Sequence, residues 1–156
     1  MADPYAAGLA MLARRELSTE QVRQRLARKG FGADQIDAAV RRLQRAGALD
    51  DERTARMLAR RSAHVRMHGR LRALRELRDR GIGPDLARCA VDAVYGEIDE
   101  QELLEQVLVK RLGGPLDSRA ALRRLYQQLV RQGFDSAAVL GALRRRGVPG
   151  SVDGAD

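Results

Sequence analysis

The sequence predicts an all-α fold of three tandem three-helix repeats forming an elongated, curved molecule. Two observations carry this. The first is an internal repeat: an apolar residue, a second apolar residue four positions on, a glycine four further on, then another apolar residue. It occurs as Val22, Leu26, Gly30, Phe31; as Ala73, Leu77, Gly81, Ile82; and as Leu125, Leu129, Gly133, Phe134. The glycines stand 51 and 52 residues apart, a period in the range of repeat architectures. The second observation is composition. Apolar content is 44% but aromatics make up only 3%, with no tryptophan, and prolines number four. A core of Leu, Val, Ala and Ile, in a chain rich in strong helix formers, suits helices packed on helices.

Each copy has a physical reading. Apolar residues four apart share a helical face. Glycine follows where such a helix ends, because the chain needs a left-handed backbone there that a side chain penalises. Phe31, Ile82 and Phe134 are placed to fold back onto the helix just left. Six and ten residues past each glycine stand Ile36 and Val40, Ala87 and Val91, Val139 and Leu143. A second amphipathic helix therefore follows each glycine in the same phase.

Taken in order, a first helix covers residues 4–16 with Leu9, Met11, Leu12 and Ala13 on its buried face. Ser18-Thr19-Glu20-Gln21 reads as a capping box opening helix 19–29. Helix 33–46 turns Ile36, Val40 and Leu43 inward and stops at Gly47. Asp50, Asp51 and Glu52 suit the N-terminus of helix 51–64 as a cap. As a metal site the cluster lacks the glycine-containing loop that calcium needs. Helix 70–80 runs to Gly81, and helix 84–96 opens on Pro84, which fits a first helical turn. Helix 99–112 precedes a Gly113-Gly114-Pro115 break, and helices 118–132 and 136–146 complete the third unit. Gly147, Pro149 and Gly150 end it. The expected modules are residues 4–48, 49–97 and 98–147, with 148–156 as a disordered tail. Some freedom is expected at residues 47–50 and 113–115.

Net charge is +8. From Arg53 to Arg80 there are ten arginines against Glu76 and Asp79, while the rest of the chain holds 19 basic and 19 acidic residues. The whole surplus sits in one segment, which points to a localised anionic partner. The N-terminus lacks the basic start and continuous apolar run of a secretory leader. No stretch approaches the roughly 18–20 apolar residues that span a bilayer. A lone Cys89 excludes an internal disulfide. A cytoplasmic monomer, without cofactor or membrane partner, is the simplest expectation.

No catalytic constellation stands out. Neither Lys29 nor Lys110 follows a glycine, so the phosphate-cradling loop of many ATPases is absent. His64 and His68 have the spacing of a zinc pair, but no glutamate lies between them and the only cysteine is remote. They read better as polar residues at a helix end beside the basic segment. Cys89 falls among apolar residues and reads as core rather than nucleophile.

Arg60, Arg61, Arg66, Arg70, Arg72, Arg75, Arg78 and Arg80 straddle a helix, a connection and the next helix. Singly, each is a solvated side chain. Together they form a candidate docking surface for DNA, or for an acidic protein surface close to DNA, since guanidinium forks match phosphate and carboxylate geometry. No interleaved aromatics are present to stack unpaired bases. Contact with DNA is thus expected at the backbone, weak and non-specific. An independent DNA-binding module or transcriptional regulator is the alternative use of three-helix units. The arginines, however, spread over several turns instead of gathering at one helix N-terminus that could enter a major groove.

The chain also resembles the RecX family of regulators of bacterial recombination. The resemblance lies in residues 18–31, in Gly47-Ala48-Leu49-Asp50-Asp51-Glu52-Arg53, in residues 69–82 and, more loosely, in Leu129-Val130-Arg131-Gln132-Gly133-Phe134. It covers residues 5–147. Where members usually carry an aromatic after the acidic cap, this chain has Thr54. The resemblance implies a non-enzymatic regulator that binds RecA and lies along the groove of the RecA–DNA filament. Such a regulator suppresses filament extension, ATP hydrolysis, strand exchange and the co-protease activity behind the SOS response. It supplies no catalytic residues to carry over.

Overall fold

The computed structural model describes residues 2–112 and 118–146, and these hold nine α-helices and no strand. The helices are α1 (Pro4–Arg14), α2 (Thr19–Arg28), α3 (Ala33–Arg45), α4 (Asp51–His64), α5 (Arg70–Asp79), α6 (Pro84–Tyr95), α7 (Glu100–Arg111), α8 (Arg119–Arg131) and α9 (Ser136–Arg145). The expected break at residues 113–115, the end at 147–150 and the tail lie outside the described residues. The chain divides into two compact units. One comprises residues up to Ala59 together with Glu76–Ala90; the other comprises Arg60–Arg75 and the residues from Val91 onward. The boundaries fall within α4, α5 and α6.

The repeated pattern is the core. Leu26, Leu77 and Leu129 are each 0% exposed, and Val22, Ala73, Leu125, Ile82 and Phe134 are buried with them. All six downstream positions, from Ile36 to Leu143, are buried as well. Gly30, Gly81 and Gly133 adopt φ of +93°, +84° and +97°. Each closes its helix with the same pair of hydrogen bonds. The glycine N–H returns to the carbonyl three residues back, at 2.9, 2.9 and 3.0 Å, and the next N–H to Leu26, Leu77 or Leu129, at 3.3, 3.0 and 3.3 Å. This is the Schellman arrangement, which satisfies carbonyls that a helix end leaves without partners.

In the first unit, Leu17, Val22, Leu26, Ile36, Ala39, Val40, Leu43 and Leu49 form one cluster, against which Tyr5, Met11, Leu12 and Phe31 pack half-buried. The expected face of α1 needs correction: Leu9 is 37% exposed and Ala13 is exposed. The helix approaches α3 along Gly8, where an added Cβ would stand 2.7 Å from Leu43 Cδ1. That close approach rotates Leu9 outward. Residues 47–50 are also more constrained than expected. Leu49 is buried, and the Arg53 guanidinium donates to the Gly47 and Ala48 carbonyls at 3.0 and 3.2 Å and to Glu16 at 2.7 Å.

Within each unit one middle helix of the repeat sets its N-terminus against the C-terminus of the next. In the first unit Ser18 forms the expected capping box with Gln21, and its hydroxyl donates to the Arg80 carbonyl at 2.5 Å. In the second unit the Gly69 and Leu71 N–H groups donate to the Gln132 and Gly133 carbonyls at 2.8 and 3.2 Å. In the second unit, backbone donors left open at one helix start thus meet acceptors left open at another helix end, whereas in the first a serine hydroxyl makes the link; in both the dipoles are favourably aligned. The second contact admits no side chain. A Cβ on Gly69 would lie 2.4 Å from the Gly133 carbonyl, and one on Gly133 would lie 2.3 Å from the Arg72 nitrogen.

Candidate anion-binding surface

The segment that carries the candidate arginines begins at an N-terminus rich in carboxylates. Asp50 caps α4 by accepting the Arg53 N–H at 3.1 Å, as the acidic cluster predicts. Asp51 turns to α2 and accepts from the Thr19 N–H and hydroxyl at 2.7 and 3.0 Å. Glu52 pairs with Arg56 at 2.9 Å. Part of the positive surplus is therefore neutralised by Glu16 and Glu52, which precede it. Glu16 also holds Arg53 more firmly protonated than a free guanidinium, chiefly through its hydrogen bond.

The eight arginines do not all fall in one compact unit. Arg60, Arg61, Arg66, Arg70, Arg72 and Arg75 belong to the second; Arg78 and Arg80 belong to the first. Two of the six have structural work. Arg70 forms an ion pair with Asp92, and Arg72 Nη1 donates to the Arg131 carbonyl at 3.2 Å, beside the α5–α8 contact. Arg60, Arg61 and Arg75 are exposed, and none makes a side-chain hydrogen bond or ion pair among the described residues. These three guanidinium forks, two on α4 and one on α5, are free to donate to phosphate or carboxylate oxygens. Arg66 is exposed in the connection between those helices.

That connection is tightly built. The His68 N–H donates to the Ser62 carbonyl at 2.9 Å, the Tyr95 hydroxyl donates to the His68 carbonyl at 2.7 Å, and Met67 takes a φ of +54°. The two histidines expected together at a helix end are thereby separated in character. His64 is exposed, whereas His68 is 8% exposed, with Nδ1 3.4 Å from the Ser62 hydroxyl. The sharp turn at Met67 sends His68 inward. Cys89 likewise departs from expectation. It is exposed on α6, because Ala87, Ala90, Val91 and Val94 occupy the buried face. Among the described residues no group of three or more His, Cys, Asp or Glu side chains is placed to hold a metal ion. Nor is any of their helices long and apolar enough to cross a membrane.

A second concentration of cations escapes a charge count along the chain, since acidic residues nearby in sequence cancel it. Arg14 and Arg15 at the end of α1 and Arg25, Arg28 and Lys29 at the end of α2 surround one cleft. Its sequence signal is two basic pairs, each at the end of a helix.

Comparison with known proteins bears on what these surfaces serve. Residues 5–43 match the family model described as RecX, first three-helix domain, and residues 50–91 match RecX, second three-helix domain. The chain is 35% identical over 142 residues to the regulatory protein RecX of Syntrophotalea carbinolica, covering 88% of this chain and 92% of that protein. It is 33% identical to the regulatory protein RecX of Amycolatopsis mediterranei, covering 80% and 71%. The crystal structure of RecX from Lactobacillus salivarius shares the fold, with a TM-score of 0.73 at 18% identity over 91% of this chain and 93% of that one.

Proposed function

The chain belongs to the RecX family, and from that premise we propose that it binds RecA and the RecA–DNA filament. It modulates, mainly by inhibition, the filament's ATPase, strand-exchange and co-protease activities in DNA repair and the SOS response. Family and all-α fold both point to a regulator without chemistry of its own. The observation that carries the reading is the set of exposed, unpaired guanidinium groups at Arg60, Arg61 and Arg75. Arg66, Arg70 and Arg72 of the same unit, and separately Arg78 and Arg80 of the other, are proposed as further contacts with filament or DNA phosphates. Repeat modules of residues 4–48, 49–97 and 98–147 supply successive contacts, the protein acting as a cytoplasmic monomer. Its hold on DNA alone is weak, electrostatic and indifferent to sequence.

Cosedimentation tests this. The expected result is that the protein pellets with RecA filaments on single-stranded DNA at concentrations where it does not associate with the DNA alone. Equal retention by naked DNA, or a preference for one duplex sequence, would overturn the proposal in favour of an independent DNA-binding module.

A further inference from the structure

We propose that the cleft between α1 and α2 is a second binding site, whose ligand is an acidic peptide segment bearing an apolar side chain. The cleft measures about 560 Å³, within the usual range for ligand pockets. Five cations line it, and no carboxylate does. The rest of its lining is apolar: Ala7, Ala10 and Met11.

The cations are not accounted for by the fold. Elsewhere in the same unit basic side chains have carboxylate partners: Arg23 pairs with Asp37 and Arg53 with Glu16. None of the five around the cleft makes a side-chain hydrogen bond or ion pair among the described residues. Arg14, Arg25 and Arg28 do complement the dipoles of the helix ends they occupy. That role does not require them to face a common cavity, yet all three do, together with the C-cap residues Arg15 and Lys29. Five like charges around one concave surface repel one another until an anion arrives.

The shape of the site selects the class of anion. Arginine forks bind carboxylates in bidentate fashion, and the flexible thioether of Met11 adapts to varied apolar side chains. A single strand gripped through its bases uses aromatic platforms, and one gripped through its phosphates makes no use of an apolar lining. No aromatic lines the cleft, and Tyr5, on the same helix as Met11, lies under the Arg42 guanidinium, 3.8 Å from the ring centroid. A mixed cationic and apolar concavity without stacking surfaces fits an acidic polypeptide better.

The test is fluorescence anisotropy on the full chain, with three fluorescein-labelled probes. These are a peptide of repeated Glu-Asp-Leu triplets, its Gln-Asn-Leu counterpart, and an oligothymidylate of equal charge. No recombinase is present, so the outcome is independent of the regulatory proposal. The acidic peptide is expected to bind and the neutral one not. Changing Arg14, Arg25 and Arg28 together to Gln weakens binding about tenfold, as loss of three charged contacts implies. Ala10→Glu, on an exposed helical site and four residues before Arg14, places a carboxylate in the cleft while supporting the helix, and has a similar effect. Arg119→Gln, Arg123→Gln and Arg124→Gln together, three exposed arginines outside both surfaces, leave peptide affinity unchanged. Absence of acidic-peptide binding, equal binding of the neutral peptide, insensitivity to the cleft substitutions, or a cleft-dependent preference for oligothymidylate would each overturn the proposal.

Discussion

Replacing Gly133 by alanine tests the contact between α5 and α8. Three costs coincide there. A φ of +97° is strained for any L side chain, by about 1–2 kcal/mol. The new Cβ meets the Arg72 nitrogen at 2.3 Å and Cβ at 2.4 Å. These atoms cannot swing aside as a side-chain tip can, so the backbone must shift, for roughly another 1–3 kcal/mol. Separation also threatens the Gly69 and Leu71 hydrogen bonds to α8, worth about 1 kcal/mol each. Gly133→Ala should therefore cost roughly 4 kcal/mol or more, among the largest effects of single substitutions. Two controls separate the causes. Gly30 has the same cap and a φ of +93°, but nothing within 4 Å of an added Cβ, so Gly30→Ala should cost only about 1–2 kcal/mol of strain. Gly69→Ala lacks the left-handed strain yet meets the Gly133 backbone at 2.4 Å, and should fall between the two. Urea unfolding followed by circular dichroism reads all three. Equal losses for Gly30→Ala and Gly133→Ala would refute the argument that helix docking, rather than capping alone, excludes a side chain.

Three further effects follow from single groups. Thr54 is 1% exposed and its hydroxyl has no partner among the described residues, so Thr54→Val should raise stability by about 1–2 kcal/mol in the same assay; a loss would mean the hydroxyl is satisfied. Ser18 both caps α2 and donates to the Arg80 carbonyl, so Ser18→Ala should cost about 2 kcal/mol, seen as a lower urea midpoint. Asp37 is held below its ordinary value of 3.8, chiefly by its hydrogen bond to Arg23. Its contribution is present above that value and fades as pH falls through the lowered one. The small difference between wild type and Asp37→Asn at neutral pH should accordingly shrink as pH is lowered below 3.8, as urea midpoints along a descending pH series will show.

The fold was legible because its determinants are local and repeated. Leu26 and Gly30, four residues apart, specify a buried face and the end of a helix without reference to anything distant. The same holds at Leu77 and Gly81 and at Leu129 and Gly133. The capping box at Ser18 and the start of α6 at Pro84 are equally local. What the sequence hid depends on which face meets a partner. Cys89 stands close to Ala87, Ala90 and Val91 in sequence, yet the buried phase of α6 is set by Ala87, Ala90, Val91 and Val94 and leaves Cys89 outside. Burial of His68 follows from a turn at Met67, a residue whose type gives no hint of a positive φ. Gly69 reads as a helix start, and only the approach of Gly133 shows why it must lack a side chain. The candidate site was partly legible. Charge counting located the arginine segment, but it could not distinguish Arg70, paired with Asp92, from unpaired Arg75, nor sense the cleft formed by two helix ends.

The proposal that this chain restrains a RecA filament through its exposed arginines is tested most directly by single-stranded-DNA-dependent ATP hydrolysis by RecA. The protein would be titrated well below one copy per RecA, wild type beside a variant with Arg60, Arg61 and Arg75 changed to Ala. The account predicts inhibition by wild type, with about tenfold more of the variant needed for the same effect, since exposed charged contacts to a polyanion are individually modest and collectively large. Hydrolysis unaffected by wild type at every ratio would contradict the regulatory role, and inhibition identical in the variant would contradict the assignment of its surface.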